Sequence, residues 1–546
     1  MEQRVGKGNK TKGTELNKNL LSPGAETAAG RLAVLVFLGL VVYFSVYVLT
    51  GDIAKLLSYV PDDTAYFLEI AENAAGGNGL SFDGLNPTNG YQPLWQFALV
   101  PFYALVKTTP ETALRLVLLL QVVLLTVASY WFYGALGRIF PPSALLVSVL
   151  FFVFYVFVQA VSGMETALLV FVLALLFRLA MTGPVFRSGD LKSQFVFGMV
   201  LGLVMLARLD MVFLAAAVET FCLGQFFLRR DRRSEAAGRM AAIFLGATLV
   251  VAPYLVFNLV NFGSMAPISA KLKHGFPHLA PDLDPMKIPR RDLAFGLLAG
   301  GYLLWSAIRM RRWIRDPDPR SDFAMALAVL ALGSCLHLLD VVLYVKWAIF
   351  SWHFISYRLF GALLVCLVAA GILGKAERLP RQPLYWLGIV ILAGLVGQRI
   401  YLKHNVPANN WSNAAYEAAV WARENTPADA VFAMKDAGNF GYFSRRRTIN
   451  LDGLVNNLAF QEALKEKRLA NHLTDQNLDY LIQHAFNDRD DITAGTYESV
   501  GLRYDSHLFE VASDEIVLHR ADEAFRSKPY PRFGSETLLV IWKWRR

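Results

Sequence analysis

The chain has 546 residues, 55% of them hydrophobic and 18% charged, with a mean hydropathy of +0.38. Soluble globular chains run at about 45–50% apolar and about 25% charged, so this composition excludes a simple soluble enzyme, a disordered chain and a disulfide scaffold. The net charge of +9 becomes a question of placement, because basic loops orient membrane proteins.

Residues 1–30 read as a polar tail holding Arg4, Lys7, Lys10, Lys12 and Lys18. The tail lacks an apolar core, which predicts a cytoplasmic arm rather than a cleaved signal. Apolar runs long enough to cross ~30 Å of hydrocarbon follow at 31–50, 112–137, 142–161, 164–181, 193–207, 210–228, 240–260, 291–308, 322–345, 354–373 and 384–402. The run 92–106, with Pro93 and Pro101, is short and predicts a re-entrant or interfacial element. Basic clusters in the tail, in 229–239, in 309–320 and at Lys375, Arg378 and Arg381 share one side only if 92–106 does not cross. The positive-inside rule then gives eleven spans, with the N-terminus cytoplasmic and the C-terminus outside. Cys222, Cys335 and Cys366 sit in apolar runs without disulfide or zinc spacing and read as small buried hydrophobes. No internal repeat of the inverted-transporter kind is found.

In the first outer loop, 51–110, Phe67, Ile70, Ala71 and Ala74 repeat at helical spacing after Pro61, and Gly76-Gly77 stops the pattern. This predicts a short amphipathic helix at the interface, followed by turns at Asp83-Gly84, Asn86-Pro87 and Asn89-Gly90. Asp62 and Asp63 open that helix. Capping and the helix dipole explain one acid. The other is left as a partly desolvated carboxylate suited to general-base work. Asn89, Tyr91 and Trp95 read as turn and interface packing or as a sugar platform.

Other charges gather at the same boundary. Ser162-Gly163-Met164-Glu165 fits a capping box, yet it also places a second carboxylate on that face. Asp62, Asp63 and Glu165 could together hold a divalent cation such as Mg or Mn. Arg208 and Asp210 form a local ion pair or meet an anionic ligand. Lys271, Lys273 and His274 suit lipid headgroups or a bound phosphate. Lys346, His353 and Arg358 flank the outer end of span ten, where snorkelling also explains a cation.

The segment 403–546 has ordinary polarity. It predicts helices at 412–425 and near 458–470, and strands near 430–434, 447–452, 479–483, 507–512, 515–519 and 537–543. This is a small extracytoplasmic α/β domain.

With these pieces assembled, the chain resembles the GT-C superfamily of polyprenyl-phosphate-sugar-dependent glycosyltransferases, and in particular bacterial relatives of the lipid A aminoarabinose transferase and the protein O-mannosyltransferases. The resemblance is carried by PDDTAYFLEIAENAAGGNG (61–79), NPTNGYQPLW (86–95), SGMET (162–166), LARLD (206–210), FGSMAPISAKLK (262–273) and DAGNFGYFSRRRTINLDGLVNN (436–457). It implies a polytopic helical fold of about eleven spans with two interfacial helices in the first outer loop and an α/β domain after residue 403. It also implies an active site on the extracytoplasmic face of the bacterial inner membrane. The first-loop acid, Asp62 or Asp63, would act as general base, and Glu165 would stand where the family usually has Asp. Lys271, Lys273, Arg358 and Arg208 would face the donor phosphate, and Asn89, Tyr91, Trp95 and His353 the sugar or acceptor. Asp452, Asn456 and Asn457 would reach sugar hydroxyls or serve turns. The expected partners are a polyprenyl-phosphate sugar, a glycan, glycolipid or protein acceptor, and the bilayer, with no nucleic acid.

Two other classes fit parts of the sequence. A transporter or flippase would use charges within the spans, of which Glu219 and Asp340 are the examples. An assembly scaffold would use 403–546 as its binding module.

Overall fold

The computed structural model describes residues 21–545 except 184, 186–189, 229–232, 280, 282–287, 316–317, 348, 376–380, 407–409, 486–489, 503–515 and 533. The tail lysines, Arg229, Arg230, Arg232, Arg378 and the strand expected at 507–512 lie outside the described residues.

Among the described residues nine helices are long and apolar enough to cross a membrane. Two shorter ones, Thr166–Thr182 and Leu191–Ala207, run between them. Seventeen residues rise about 25 Å. Glu165, just before the first, pairs with Arg208, just after the second, so together they leave the site level and return to it. The short helix Pro93–Leu105 behaves differently. Trp95 Nε1, near its start, donates to Gly163 O at 3.0 Å. Tyr103, near its end, bonds Tyr442 of the C-terminal domain through their hydroxyls at 2.7 Å. Both ends therefore stay on one side, and this helix does not cross. The described basic residues Arg233, Arg239, Arg309, Arg311, Arg312 and Arg315 occupy the helix ends remote from that domain.

The first span is longer than expected. It runs Pro23–Thr50, capped by Ser22 with proline in its first turn. Its Glu26 accepts from the Ser143 backbone and hydroxyl at 2.9 Å each, fixing the remote end of the bundle. At the other end His404, in the last span Arg381–Asn405, stacks on Tyr47 of the first at 4.0 Å between ring centroids. The chain thus closes its first and last spans against each other.

After residue 405 the polarity changes and strands appear. The sheet runs in the order Arg447–Asn450, Val431–Met434, Tyr480–Ala485, Ser535–Lys543, Glu523–Arg526. The first three are parallel and Ser535–Lys543 is antiparallel. The helix Trp411–Asn425 covers it, with Trp421 stacked on Phe525 at 5.0 Å. The region expected as one helix near 458–470 is two, Leu458–Lys465 and Leu469–Asp475, separated where Lys467 takes φ 55°. The strand Glu523–Arg526 and the helix Gly438–Ser444 carry too few residues to show a period and are seen only in the structure.

Candidate functional site

The helix Asp62–Ala75 joins the bundle to the C-terminal domain and presents its two leading acids in different directions. Asp62 is 6% exposed. Its Oδ1 accepts the Asn439 N–H at 2.7 Å and its Oδ2 the Gly438 N–H at 2.9 Å. These are the first amides of the helix Gly438–Ser444, so Asp62 caps a helix of the other domain. Burial pushes its carboxyl up, and the Asn439 and Gly438 donors oppose that. Gly438 is required there, because a Cβ would come within 2.3 Å of Asp62 O. Further down the same helix, Tyr66 donates its hydroxyl to Asp452 at 2.7 Å, and Glu72 pairs with Arg445 at 2.5 Å.

Asp63, half-buried, instead lines a narrow cleft with Tyr91, Glu165, Arg208, Lys273 and His353. Burial raises the Asp63 carboxyl above its ordinary range, while the Lys273 ammonium pulls it back. Burial lowers Lys273 in turn, and Asp63 opposes that. Lys273 is the last residue of the helix Ile268–Lys273, and its Nζ lies 5.6 Å from the Trp347 ring centroid.

Glu165 does not form the expected capping box. It starts the helix Thr166–Thr182 without a side-chain cap, and Ser162 Oγ is buried without a partner among the described residues. Two forces set its place. Gln121 accepts the Ser162 and Gly163 amides at 3.0 and 2.7 Å and shapes the turn from below. Gly163 takes φ 82°, a conformation other residues avoid. Glu165 Oε1 then meets Arg208 Nη1 at 2.6 Å, and its Oε2 is buried without a hydrogen-bond partner among the described residues. Burial pushes Glu165 up, and Arg208 pulls it back. Arg208 is itself held by Asp210 through Nε at 3.1 Å and Nη2 at 2.5 Å. Behind Asp210 stands His337, with Nε2 3.7 Å away and Nδ1 2.9 Å from the Tyr357 hydroxyl.

Several expected site residues belong elsewhere. Arg358 does not line the cleft. It is fully buried and bound to both oxygens of Asp292, at 2.7 and 2.8 Å. Lys271 is exposed on the helix that carries Lys273, so the two lysines divide. Arg208 does line the cleft, but three of its nitrogens are engaged by Asp210 and Glu165, and it acts as framework. Asn89 accepts the Ile268 amide at 2.9 Å and donates to Asn258 at 3.3 Å, tying the first outer loop to the helices Arg233–Phe262 and Ile268–Lys273. Trp95 is fully buried and bonded to Gly163, so it is no sugar platform. Asp452 accepts from Tyr66, Asn450 and the Asp436 amide, Asn456 donates to Asn450 O, and Asn457 caps the helix Leu458–Lys465. His274 pairs with Asp340 at 2.9 Å, which gives that acid a local partner. Asp62, Asp63 and Glu165 do not converge: Asp62 is bound to amides and Glu165 to Arg208. Among the described residues no three His, Cys, Asp or Glu side chains are grouped to hold a metal ion.

The sequence reading missed Gln92, which lines the cleft and accepts the Leu209 amide at 3.1 Å, and the loop at Leu454 and Val455 that covers it. It also missed Gln121 and Asp292. A polar side chain within an apolar run is the signal for Gln121, and an acid at the mouth of a span beside two arginines is the signal for Asp292.

Residues 405–525 match a family described as a domain of unknown function, DUF8728. No curated protein matches the chain. Two solved structures are similar over nearly the full length. One is ArnT from Cupriavidus metallidurans bound to undecaprenyl phosphate, at 10% identity, covering 93% of this chain and 97% of that one with a TM-score of 0.51. The other is the same protein in the apo state, at 12% identity, covering 94% and 98% with a TM-score of 0.48. The chain is therefore a polytopic helical membrane protein with a C-terminal mixed α/β domain and an ArnT-like fold.

Proposed function

We propose that the chain transfers a sugar from a polyprenyl-phosphate donor to an acceptor hydroxyl, with inversion, in the cleft beneath the first loop. The observation that carries this reading is the opposition of Asp63 and Lys273 in that cleft, while Asp62 beside it is consumed by domain docking. The fold shared with a protein solved with undecaprenyl phosphate supports the lipid-linked donor.

In this reading Asp63 accepts the proton of the acceptor hydroxyl. Desolvation makes its carboxylate a stronger base than a solvated one. The acceptor oxygen forms its bond to the anomeric carbon from the face opposite the phosphate. The bond from that carbon to the phosphate oxygen breaks, and its electron pair leaves with the lipid phosphate. Lys273 lies on the cleft wall where that charge collects. Arg208, fixed by Asp210, holds Glu165 in place, and the free Oε2 of Glu165 is left to orient the acceptor. The cleft as it stands is about 70 Å³, room for a few waters, so occupancy requires it to widen. The distribution of Arg and Lys supports reading this cleft as extracytoplasmic. Donor turnover in membranes carrying wild type or Asp63→Asn at equal expression tests the proposal.

A further inference from the structure

A second cavity, of about 810 Å³, shares no lining residue with the Asp63 cleft. Its wall carries Arg291, Arg399 and Lys403. Arg291 opens the helix Arg290–Arg315, and the other two lie in the last turns of Arg381–Asn405, so all three sit at the end of the bundle nearest the C-terminal domain. The nearest acid among the described residues is Asp292, and both of its oxygens serve Arg358. Arg291 reaches that carboxylate only at 3.9 Å. Among the described residues, Arg291 Nε, Arg399 Nε and the Tyr59 hydroxyl on the same wall are buried without hydrogen-bond partners.

Lys403 donates to Val158 O, and aromatic faces give further partial compensation. Arg399 lies 4.9 Å from the Phe154 ring, Lys403 4.8 Å from Tyr59 and Arg291 6.0 Å from Tyr155. Three clustered cations at a membrane boundary still carry a desolvation cost that an anion would offset. The rim identifies the kind of anion. Leu395 and Leu402 in the last span and Val406 just after it are 47%, 45% and 55% exposed on the cavity rim. An apolar rim beside a cationic wall fits a molecule with an acyl chain and a charged head.

We propose that this cavity binds the phosphate headgroup of an anionic lipid, held by Arg291, Arg399 and Lys403. The site stands on its own residues and does not rest on the glycosyl-transfer reading. Retention of lipid on the purified full chain in detergent, followed by native mass spectrometry, tests it with three probes: dioleoyl phosphatidic acid, dioleoyl phosphatidylcholine and inorganic phosphate. Phosphatidic acid is expected to bind at least about tenfold more tightly than phosphatidylcholine, because its monoester phosphate has a third unesterified oxygen and a net negative charge, whereas the choline ammonium neutralises and shields that of phosphatidylcholine. Arg399→Gln/Lys403→Gln is expected to lose that preference, and so is Arg291→Gln, which alters the opposite wall if the double variant folds poorly. Asp63→Asn is expected to keep it. Equal retention of the two lipids by wild type overturns the proposal, as does an undiminished preference in the folded glutamine variants. Inorganic phosphate competing as well as phosphatidic acid overturns the lipid assignment in favour of a soluble anion.

Discussion

The Asn439 amide donates to Oδ1 of Asp62 at 2.7 Å, and this bond fixes which of two adjacent carboxylates is free. With Gly438 it turns Asp62 into a cap for the helix Gly438–Ser444. Asp62→Ala removes two charge-assisted bonds and leaves two amides at a buried interface. The expected cost is about 1–3 kcal/mol, read as a lowered melting temperature and faster proteolysis between the bundle and residue 411. Wild-type melting in this variant would contradict the docking role.

Glu165 and Arg208 form a buried pair at 2.6 Å, 1% and 2% exposed. Glu165→Gln leaves Arg208 with only Asp210 as a charged partner and is expected to cost roughly 3–5 kcal/mol. The double variant Glu165→Gln/Arg208→Met removes both charges and should be less destabilised than the sum of its singles. Thermal melting of the four-member cycle measures this, and additive single effects would show that the pair is uncoupled.

Lys273 and Lys271 separate by function. Lys273→Met is expected to weaken donor binding by about tenfold or more, because it removes the charge facing the phosphate. Lys271→Met, altering an exposed side chain, is expected to leave it within about twofold. Titration of membranes with polyprenyl-phosphate sugar measures both, and equal losses would contradict the assignment.

The acid limb of the pH–turnover profile reports Asp63. Burial raises its folded-state pKa, so the base form is lost as pH falls through a value above the ordinary carboxylate range. Lys273 lowers that pKa, so in Lys273→Met the acid limb is expected to move to higher pH. A limb that stays in place would show that Lys273 does not act on Asp63.

Much of the fold was legible because its periods are long. Apolar runs exposed the crossings, and the charge clusters correctly denied one to 92–106, whose ends both touch the C-terminal side. The first span lost Pro23–Gly30 because that stretch is mostly small residues without a large apolar side chain, although Ser22-Pro23 was a readable start signal. The site was legible by residue type and not by partner. Asp62 and Asp63 are equivalent in sequence, and only the docked helix Gly438–Ser444, about 375 positions away, distinguishes them. Arg358 looked like a phosphate ligand because its partner, Asp292, comes from a helix 66 positions earlier. Asn89 and Trp95 carry hydrogen-bonding groups that suit sugars, and loop packing uses the same groups.

The central claim is that Asp63, and not Asp62, is the base of a lipid-linked sugar transfer. Its most direct measurement is release of polyprenyl phosphate, with product analysis, from membranes supplied with a panel of polyprenyl-phosphate sugars. Wild type is expected to consume one donor and yield a glycosylated product, and Asp63→Asn at equal expression to be slower by about 10²–10⁴. Full turnover by Asp63→Asn, or no consumption of any donor by wild type, would contradict it.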